Sequence, residues 1–277
     1  MSARKSKYSS LSNYVILIIL ASFSFAPLFL LFFNSLKSSM ELGLNPLGVP
    51  ITANFGNYLE AWRLGDYATA MRNSLLVSGT TIVGVLFIAG MGAYALARLK
   101  LLGKNILMIY FLMNMALPSQ LFVVPLFFLW HRLGLVNTLP GVILVYSSLH
   151  LPFSIFLIRS YLVGLPKGFE DAARIDGASE WQVYYKVIVP LSWPVFLTVA
   201  VIVATWTWNE FFFALLFLHS ESVQTVSIRY MRFSGRFLTD WGLTNAAGVI
   251  VSLPIVILFL FLQRRFIEGI TGGGLKM

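Results

Sequence analysis

The sequence contains no cysteine, and only 11% of its 277 residues are charged. The absence of cysteine excludes disulfide bonds and thiolate chemistry within the chain. Soluble domains carry roughly a quarter charged residues, so this small charged fraction argues against a water-soluble fold. Hydrophobic residues instead make up 58% of the sequence. The composition therefore predicts a membrane protein, with the lipid bilayer as its surroundings.

Apolar stretches long enough to cross a membrane recur along the sequence. A bilayer core about 30 Å thick needs about 20 mostly apolar residues per helix. Six stretches meet this requirement and are predicted to span the membrane, at residues 14–33, 74–97, 106–130, 139–161, 192–218 and 244–263. The first is too long for a signal peptide and lacks a convincing cleavage site, so we interpret it as a retained span. The pattern predicts an all-α, polytopic membrane protein with a single domain over residues 1–277.

Basic residues are distributed unevenly, and they predict the orientation of the chain. If the N-terminus lies in the cytoplasm, most lysines and arginines fall on the cytoplasmic side, within residues 4–7, 98–104, 159–186 and 264–276. Arg229, Arg232 and Arg236 fall on the outer side and weaken this bias. We expect both termini in the cytoplasm. The net charge of +9 is not accompanied by an aromatic and basic binding motif, so no nucleic-acid partner is expected.

Prolines interrupt most of the predicted spans. They are Pro27, Pro118, Pro125, Pro152, Pro194 and Pro254. Each proline removes a backbone donor and can kink its helix. Broken helices line the substrate path of many transporters, although membrane helices also tolerate proline without any such role. Pro118 is the most suggestive, because Asn114, Ser119 and Gln120 surround it in the middle of the third span.

Small residues form one face of the second span. Ala89, Ala93 and Ala97 recur at a spacing of four residues, with Gly90 and Gly92 between them. Such a face lets another helix approach closely. The alternative is chance, because alanine and glycine are common in membrane helices.

The largest polar stretch inside the chain is residues 168–194, GFEDAARIDGASEWQVYYKVIVPLSWP. Glu170 and Asp171 suit the positively polarised first turn of a helix, and Gly177 can close that helix in a left-handed conformation. Ser179 and Gln182 form the pattern of a capping box for a second helix. The stretch therefore predicts a helix, a glycine turn and a second helix at the cytoplasmic surface. An interfacial amphipathic hairpin is the structural alternative.

The segment DAARIDGASEWQVYYKVIVP resembles the cytoplasmic signature loop of binding-protein-dependent ABC importer permeases. That loop has Glu-Ala-Ala, three residues, Gly, nine residues and a closing Ile-x-Leu-Pro. Here Asp171 replaces the usual Glu and valines replace the Ile and Leu, while Gly177 and Pro190 stand at the matching positions. Because Asp171 is one methylene shorter, Glu170 is an alternative for its role. PSQLFVVPLFFLWHRLGLVNTLPGVIL, TWNEFFFALLFL and QRRFIEGITGGGLKM resemble the carbohydrate-importer branch, so the resemblance covers nearly the whole chain.

This resemblance implies a type I ABC importer permease, the shorter of two partners, with a coupling helix in the cytoplasmic loop 164–190. The implied partners are a second permease subunit, two ATPase subunits, an extracytoplasmic solute-binding protein and a carbohydrate, in the cytoplasmic membrane of a bacterium or archaeon. The implied coupling residues are Glu170, Asp171, Ala172, Ala173, Asp176, Gly177, Ala178 and Pro190. The glycine-rich tail, residues 269–274, resembles family tails that reach between the ATPase subunits, and a frayed terminus is the alternative.

The residues themselves indicate that the chain is not an ATPase. Gly103-Lys104 is followed by Asn105 and lacks the upstream glycine of a phosphate-binding loop. We expect no cofactor in this chain, and ATP and Mg²⁺ in the partner ATPase subunits.

Candidate solute contacts follow from the implied carbohydrate. Sugars need hydrogen-bonding side chains and aromatic faces. The candidates are Asn114, Ser119, Gln120, Tyr146, His150, Trp206, Asn209 and Glu210. A carboxylate in an apolar span is costly, so we expect Glu210 to face protein or a water-filled path. A hydrogen bond between helices is the alternative for Glu210, and ordinary packing is the alternative for His150.

Three other functions remain as alternatives. The first is an ABC importer permease for a solute other than a sugar. The second is an ion-coupled secondary transporter, which would need several convergent charges inside the membrane, where Glu210 is nearly alone. The third is a membrane-embedded enzyme. His131, His150 and His219 lack metal-ligand spacing, however, and Ser179 has no positioned base.

Overall fold

The computed structural model describes the backbone of residues 3–236 and 240–274, and the side chains of residues 13–236 and 240–261. Within these ranges every regular element is a helix. The α-helices are α1 (Ala3–Ser35), α2 (Ser39–Leu44), α3 (Gly56–Leu64), α4 (Tyr67–Arg98), α5 (Lys104–Ala116), α6 (Val123–Arg132), α7 (Leu139–Val163), α8 (Gly168–Ile175), α9 (Glu180–Val183), α10 (Val189–Leu191), α11 (Trp193–Asn209), α12 (Phe212–Phe217), α13 (Val226–Arg236) and α14 (Trp241–Gly274). The side chains of the predicted cytoplasmic residues 4–7 and 264–276 and of the glycine-rich tail lie outside the described residues.

The described helices contain four that are long and apolar enough to cross a membrane alone. They are Asn13–Ser35, Tyr67–Arg98, Leu139–Val163 and Trp241–Phe261. Two further pairs pass the same test only together, because each is bent at a short break. Lys104–Ala116 and Ser119–Arg132 meet at 93°, and Glu180–Leu191 and Trp193–Asn209 meet at 76°. Counting each bent pair as one span gives six, which is the number that the sequence predicts.

The third predicted span, 106–130, is two helices rather than one. Helix α5 ends at Ala116, and Leu117 has an extended backbone with ψ 132°. Proline disfavours helical geometry in the residue before it, so Pro118 accounts for the break. Pro27 and Pro152, by contrast, lie inside helices that continue past them.

The fifth predicted span, 192–218, is also interrupted. Helix α11 ends at Asn209 and α12 begins at Phe212, with Glu210 extended between them. The span predicted over this range is therefore built from more than one helix. The polar pair Asn209-Glu210 marks the break in the sequence.

The described residues pack into two compact units. One lies within Met1–Tyr67 and Arg229–Leu253, and the other within Ala68–Ile228 and Pro254–Met277. The first contains the short helices α2 and α3. The candidate site belongs to the second unit. The assignment of the whole chain to one domain stays a prediction.

The small-residue face of α4 is used for close packing in the second unit. Ala89 and Ala93 are fully buried in one cluster with Phe196 of α11 and Ile155 of α7. A Cβ atom on Gly90 would lie 2.8 Å from the Phe196 ring and closer still to the Tyr184 hydroxyl. Only glycine leaves room for these neighbours. The predicted close approach is confirmed.

Candidate functional site

The polar loop folds as the predicted helix, turn and helix. Helix α8 ends at Ile175 with Asp176 as its C-cap, and Gly177 follows with φ +82°, a left-handed conformation that favours glycine. The amide of Ala178 donates to the Ala173 carbonyl at 3.0 Å, and the Gly177 amide donates to the Arg174 carbonyl at 3.1 Å. These two bonds satisfy carbonyls that the end of α8 would otherwise leave free.

The second half of the loop begins with the predicted capping box. The Ser179 amide donates to Oε1 of Gln182 at 2.8 Å, and Oγ of Ser179 accepts from the Gln182 amide at 3.4 Å. The apolar side chains of Val183 and Ile188 are buried. The stretch Tyr184–Ile188 is a π-helical turn that the sequence pattern did not predict. Pro190, which has no amide donor, lies just beyond this wider turn.

The two neighbouring acids of α8 have opposite surroundings. The side chain of Glu170 is 2% exposed, and its Oε1 lies 2.6 Å from Nε of Arg98, which is buried to the same degree. The side chain of Asp171 is 63% exposed. Of the two candidates for an external salt bridge, Asp171 therefore has the accessible carboxylate. Glu170 is occupied inside the chain.

Arg174 links the acids of the loop. Its Nη1 lies 3.0 Å from Asp171 and its Nε donates to Oε1 of Glu180 at 2.8 Å. Glu180 also accepts a hydrogen bond of 2.6 Å from the hydroxyl of Tyr94 on α4. The hydrogen bond with Glu180 is the main reason why the pKa of Arg174 is raised above its ordinary value. These bonds hold Arg174 against the loop, while the Asp171 and Asp176 side chains stay exposed.

The exposed face of α8 also carries large apolar side chains. Phe169 is 55% exposed and Ile175 is 86% exposed. Ala172 lies exposed beside them. No sequence pattern indicated a role for Phe169 or Ile175, although Ile175 lies within the signature segment and Phe169 lies two residues before it. A helix with this mixture of apolar, small and acidic residues can bind a complementary cleft.

A cavity of about 490 Å³ lies among α5, α6, α7 and α11, within the range of sites for small organic ligands. Four of the eight predicted solute contacts line it: Asn114, Ser119, His150 and Trp206. The other lining residues are Met115, Leu117, Phe122, Leu126, Trp130, Val145, Ser148, Leu149, Phe153 and Phe213. The break at Pro118 places Asn114 and Ser119 on the same wall.

Aromatic rings form one side of this cavity. The ring centres of Phe153 and Trp206 are 4.9 Å apart with an interplanar angle of 61°, and those of His150 and Trp206 are 5.4 Å apart. Among the lining residues that the structure describes, none is an aspartate, glutamate, lysine or arginine. The cavity therefore offers hydrogen-bonding groups and aromatic faces without a formal charge from those residue types.

The other four predicted contacts lie outside the lining. Tyr146 donates to Oε2 of Glu210 at 2.5 Å. The Glu210 carboxylate also accepts from the amides of Phe213 at 3.0 Å and Ala214 at 3.1 Å. The Glu210 carboxylate thus caps the first amides of α12 from the residue before Phe211, and it bridges to α7, which is the hydrogen bond between helices given as its alternative.

Asn209 and Gln120 complete that group of four. Asn209 donates to the Thr205 carbonyl at 2.8 Å, one turn back in its own helix. Gln120 is exposed. No group of three histidine, aspartate or glutamate side chains within residues 13–236 and 240–261 has the arrangement of a metal site.

Comparisons with known proteins show that this chain is similar to membrane components of transport systems. Residues 88–272 match the family described as "Binding-protein-dependent transport system inner membrane component". The trehalose transport system permease protein of Mycobacterium tuberculosis (strain CDC 1551 / Oshkosh) is 32% identical over 278 residues, covering 100% of both chains. The arabinooligosaccharides transport system permease protein of Halalkalibacterium halodurans is 33% identical, covering 98% of this chain and 99% of the relative. The melibiose/raffinose/stachyose import permease protein of Bacillus subtilis (strain 168) is 29% identical, covering 93% and 94%.

Solved structures show the same fold. A chain of a bacterial ABC transporter involved in the import of the acidic polysaccharide alginate superposes with a TM-score of 0.82 at 24% identity, covering 96% of this chain and 99% of the other. A chain from the alginate ABC transporter in complex with an alginate pentasaccharide-bound periplasmic protein gives a TM-score of 0.65 at 15% identity, covering 95% and 96%. At these identities the likeness establishes the fold alone.

Proposed function

The chain belongs to the family of binding-protein-dependent transport system inner membrane components, and from this premise we propose that it is a permease subunit of an ABC importer for a carbohydrate. The relatives named for trehalose, arabinooligosaccharides and melibiose, raffinose or stachyose support the carbohydrate branch. The proposed importer lies in the cytoplasmic membrane, with both termini of this chain inside.

The observation that carries this proposal is the exposed face of α8. A membrane protein without a phosphate-binding loop presents Phe169, Asp171 and Ile175 on a short helix outside its spans. In the proposed complex, this helix docks in a cleft of an ATPase subunit, where Asp171 pairs with a basic residue. Ala172 permits close approach, and Gly177 provides the turn that returns the chain to the membrane.

The proposed complex contains a second permease subunit, two ATPase subunits that bind ATP and Mg²⁺, and an extracytoplasmic solute-binding protein. Closure of the ATPase subunits would move α8 and the attached spans together, so that the cavity opens alternately to each side. The solved alginate transporter in complex with a periplasmic protein supports a binding-protein partner.

The cavity is the proposed solute site of this chain. Asn114, Ser119 and Ser148 provide hydrogen-bonding side chains, and Trp206 and Phe153 provide aromatic faces. Sugars combine hydroxyl groups with apolar C–H faces, and both features find partners here. Glu210 takes no part, since its carboxylate is occupied by Tyr146 and by the start of α12.

Purification of the complex through an affinity tag on this chain tests the proposal. We expect a second permease and an ATPase subunit to co-purify, and the complex to hydrolyse ATP faster when the cognate binding protein is added. Titration of that binding protein with trehalose, raffinose and arabinooligosaccharides then tests the carbohydrate. Recovery of this chain without an ATPase subunit, or uptake that persists without ATP, contradicts the proposed function.

A further inference from the structure

The cytoplasmic end of α4 contacts the polar loop at two separate points. Nε of Arg98 lies 2.6 Å from Oε1 of Glu170 in the first turn of α8. The hydroxyl of Tyr94 donates to Oε2 of Glu180 at 2.6 Å in the first turn of α9. Helices α8 and α9 are therefore both connected to one helix that lies far from them in sequence.

The contact between Arg98 and Glu170 is shielded from water. Each side chain is only 2% exposed, so the attraction between the charges is screened much less than at a surface. Arg98 also donates through Nη2 to the Leu165 carbonyl at 2.9 Å, in the segment that connects α7 to α8. One guanidinium thus holds both the start of α8 and the residues that lead into it.

The contact through Tyr94 is supported by packing. Its ring lies 5.4 Å from the ring of Tyr184 in the π-helical turn, and both residues belong to the same buried cluster. The hydroxyl of Tyr94 therefore reaches Glu180 from a ring that is held by packing. Tyr94 and Arg98 lie one helical turn apart on α4, so the two contacts form a continuous strip, which we call the α4 latch.

The α4 latch connects α8 to a spanning helix in addition to its chain connections and its packing on α9 and the π-helical turn. Residues 164–167 and 176–179 join α8 to its neighbours without helical structure. Helix α4, in contrast, packs through Ala89 and Ala93 against α7 and α11, which carry His150 and Trp206 of the cavity wall.

We propose that the α4 latch transmits the movement of α8 to the cavity, with Arg98, Tyr94, Glu170 and Glu180 as positioning residues of transport. This inference rests on the proposed function, since it assumes that an ATPase subunit moves α8. In this proposal, the exposed face of α8 binds the ATPase subunit. The latch turns that contact into a displacement of α4 and, through it, of the helices around the solute.

The test uses the absence of cysteine from this chain. In the full complex with its binding protein, Ser148→Cys places one thiol of this chain in the cavity wall. The rate of its labelling by N-ethylmaleimide is measured on this chain with and without ATP and vanadate. We expect the trapping of nucleotide by vanadate to change the labelling rate by about fivefold or more. This is the lower end of the coupling between distant sites in proteins. The variant is Ser148→Cys with Tyr94→Phe, Arg98→Met and Glu170→Gln, which removes both buried charges together and leaves neither unpaired.

In this variant we expect vanadate to trap nucleotide as in the parent while the labelling rate changes less than about twofold. Lys100→Gln is the matched control, because it removes an exposed positive charge from the same turn, and it should keep the full change. If the labelling rate of the latch variant changes as much as that of the parent, the α4 latch is overturned and the proposed function is not. If that variant does not assemble, Ser148→Cys with Tyr94→Phe alone is tested, since this substitution removes only one hydroxyl. A nucleotide-dependent change in labelling rate as large as in the parent then overturns the proposal. A parent complex whose labelling never responds to nucleotide overturns the proposed function, and the latch with it.

Discussion

At the scale of single residues, Asp171 is an exposed carboxylate of α8 and the one that we propose to bind the ATPase subunit. It forms an ion pair with Arg174 in the same helix, at 3.0 Å on an exposed surface. Such a pair contributes about 0–1 kcal/mol, so a substitution at Asp171 has little effect on the fold. Its effect on a docked ATPase is a separate matter, because there the carboxylate would lie in an interface.

We therefore expect Asp171→Lys to abolish uptake while the complex still assembles. The new charge would repel the basic residue proposed to bind Asp171. Uptake and co-purified ATPase subunit are the two measurements. Asp171→Glu, which restores the usual residue of the signature loop, is the control and should retain uptake. Normal uptake by Asp171→Lys would remove Asp171 from the coupling site.

The backbone conformation of Gly177 is expected to determine how substitutions at this position affect uptake. Its φ of +82° is unfavourable for any residue with a Cβ, by roughly 1–2 kcal/mol. A Cβ there would meet no atom within 4 Å, so the effect is one of backbone strain and not of crowding. Gly177→Val should abolish uptake with assembly retained, because β-branching adds to the strain. Gly177→Asn, which tolerates the left-handed region better, should keep more uptake than the valine variant.

Glu210 is predicted to act through structure and not through solute contact. It accepts bonds from two amides at the start of α12 and from the Tyr146 hydroxyl. Glu210→Ala should lower the melting temperature of the purified complex, since loss of a helix cap costs about 0.5–2 kcal/mol. Tyr146→Phe is the matched variant that removes one bond and keeps the cap, and it should have a smaller effect. Lost solute uptake with an unchanged melting temperature would place Glu210 in the solute path instead.

At the scale of elements, α4 connects the loop to the cavity wall and depends on its small residues. Gly90 lies against Phe196 and Tyr184, whereas a Cβ atom added to Gly79 in the same helix would meet no atom within 4 Å. A side chain at Gly90 must displace an aromatic ring in a packed core, which typically costs about 1–3 kcal/mol.

Gly90→Ala is therefore expected to lower the melting temperature of the complex. Gly79→Ala should be neutral or stabilising by up to about 1 kcal/mol, because alanine is the better helix former and the site has space. Thermal unfolding of the two variants is the measurement. Equal effects at both positions would mean that the close packing at Gly90 does not limit stability.

The loop elements show what the sequence can predict. Gly177, Ser179 and Gln182 act through bonds to residues within three positions along the chain, so their pattern alone indicated the turn and the cap. Pro118 likewise indicated a break, because its effect on the preceding residue is local. The 93° angle at that break depends on packing, and the sequence does not contain it.

Local sequence patterns do not predict the tertiary contacts. Glu170 and Asp171 are neighbours with the same charge, and only the position of Arg98 distinguishes the buried acid from the exposed one. Tertiary contacts also determine which of the predicted solute contacts line the cavity and which do not. Asn114 and His150 meet in the cavity because α5 and α7 pack together, while Glu210 is occupied by Tyr146.

At the scale of the whole molecule, the number of membrane crossings decides whether the proposed orientation holds. Four described helices are long enough to cross alone, and six crossings require that each bent pair crosses once. A bent pair that returned to its starting side would place the loop after it on the wrong side of the membrane. The position of α8 in the cytoplasm, where an ATPase could reach it, depends on this count.

Single cysteines in this cysteine-free chain can report each side. We expect Arg132→Cys and His219→Cys to react with a membrane-impermeant maleimide in right-side-out vesicles. Lys100→Cys and Lys186→Cys should react only after detergent opens the vesicles. The physical reason is that the 93° pair and the 76° pair are each expected to carry the chain across once, which would place residues 132 and 219 on the side opposite residues 100 and 186. All four positions are exposed in the chain, so differences in labelling report the side of the membrane and not burial. Labelling of positions 100 and 132 from the same side would make the 93° pair a re-entrant loop. It would also leave α8 outside the cytoplasm if the N-terminus is inside, and no ATPase could then bind it.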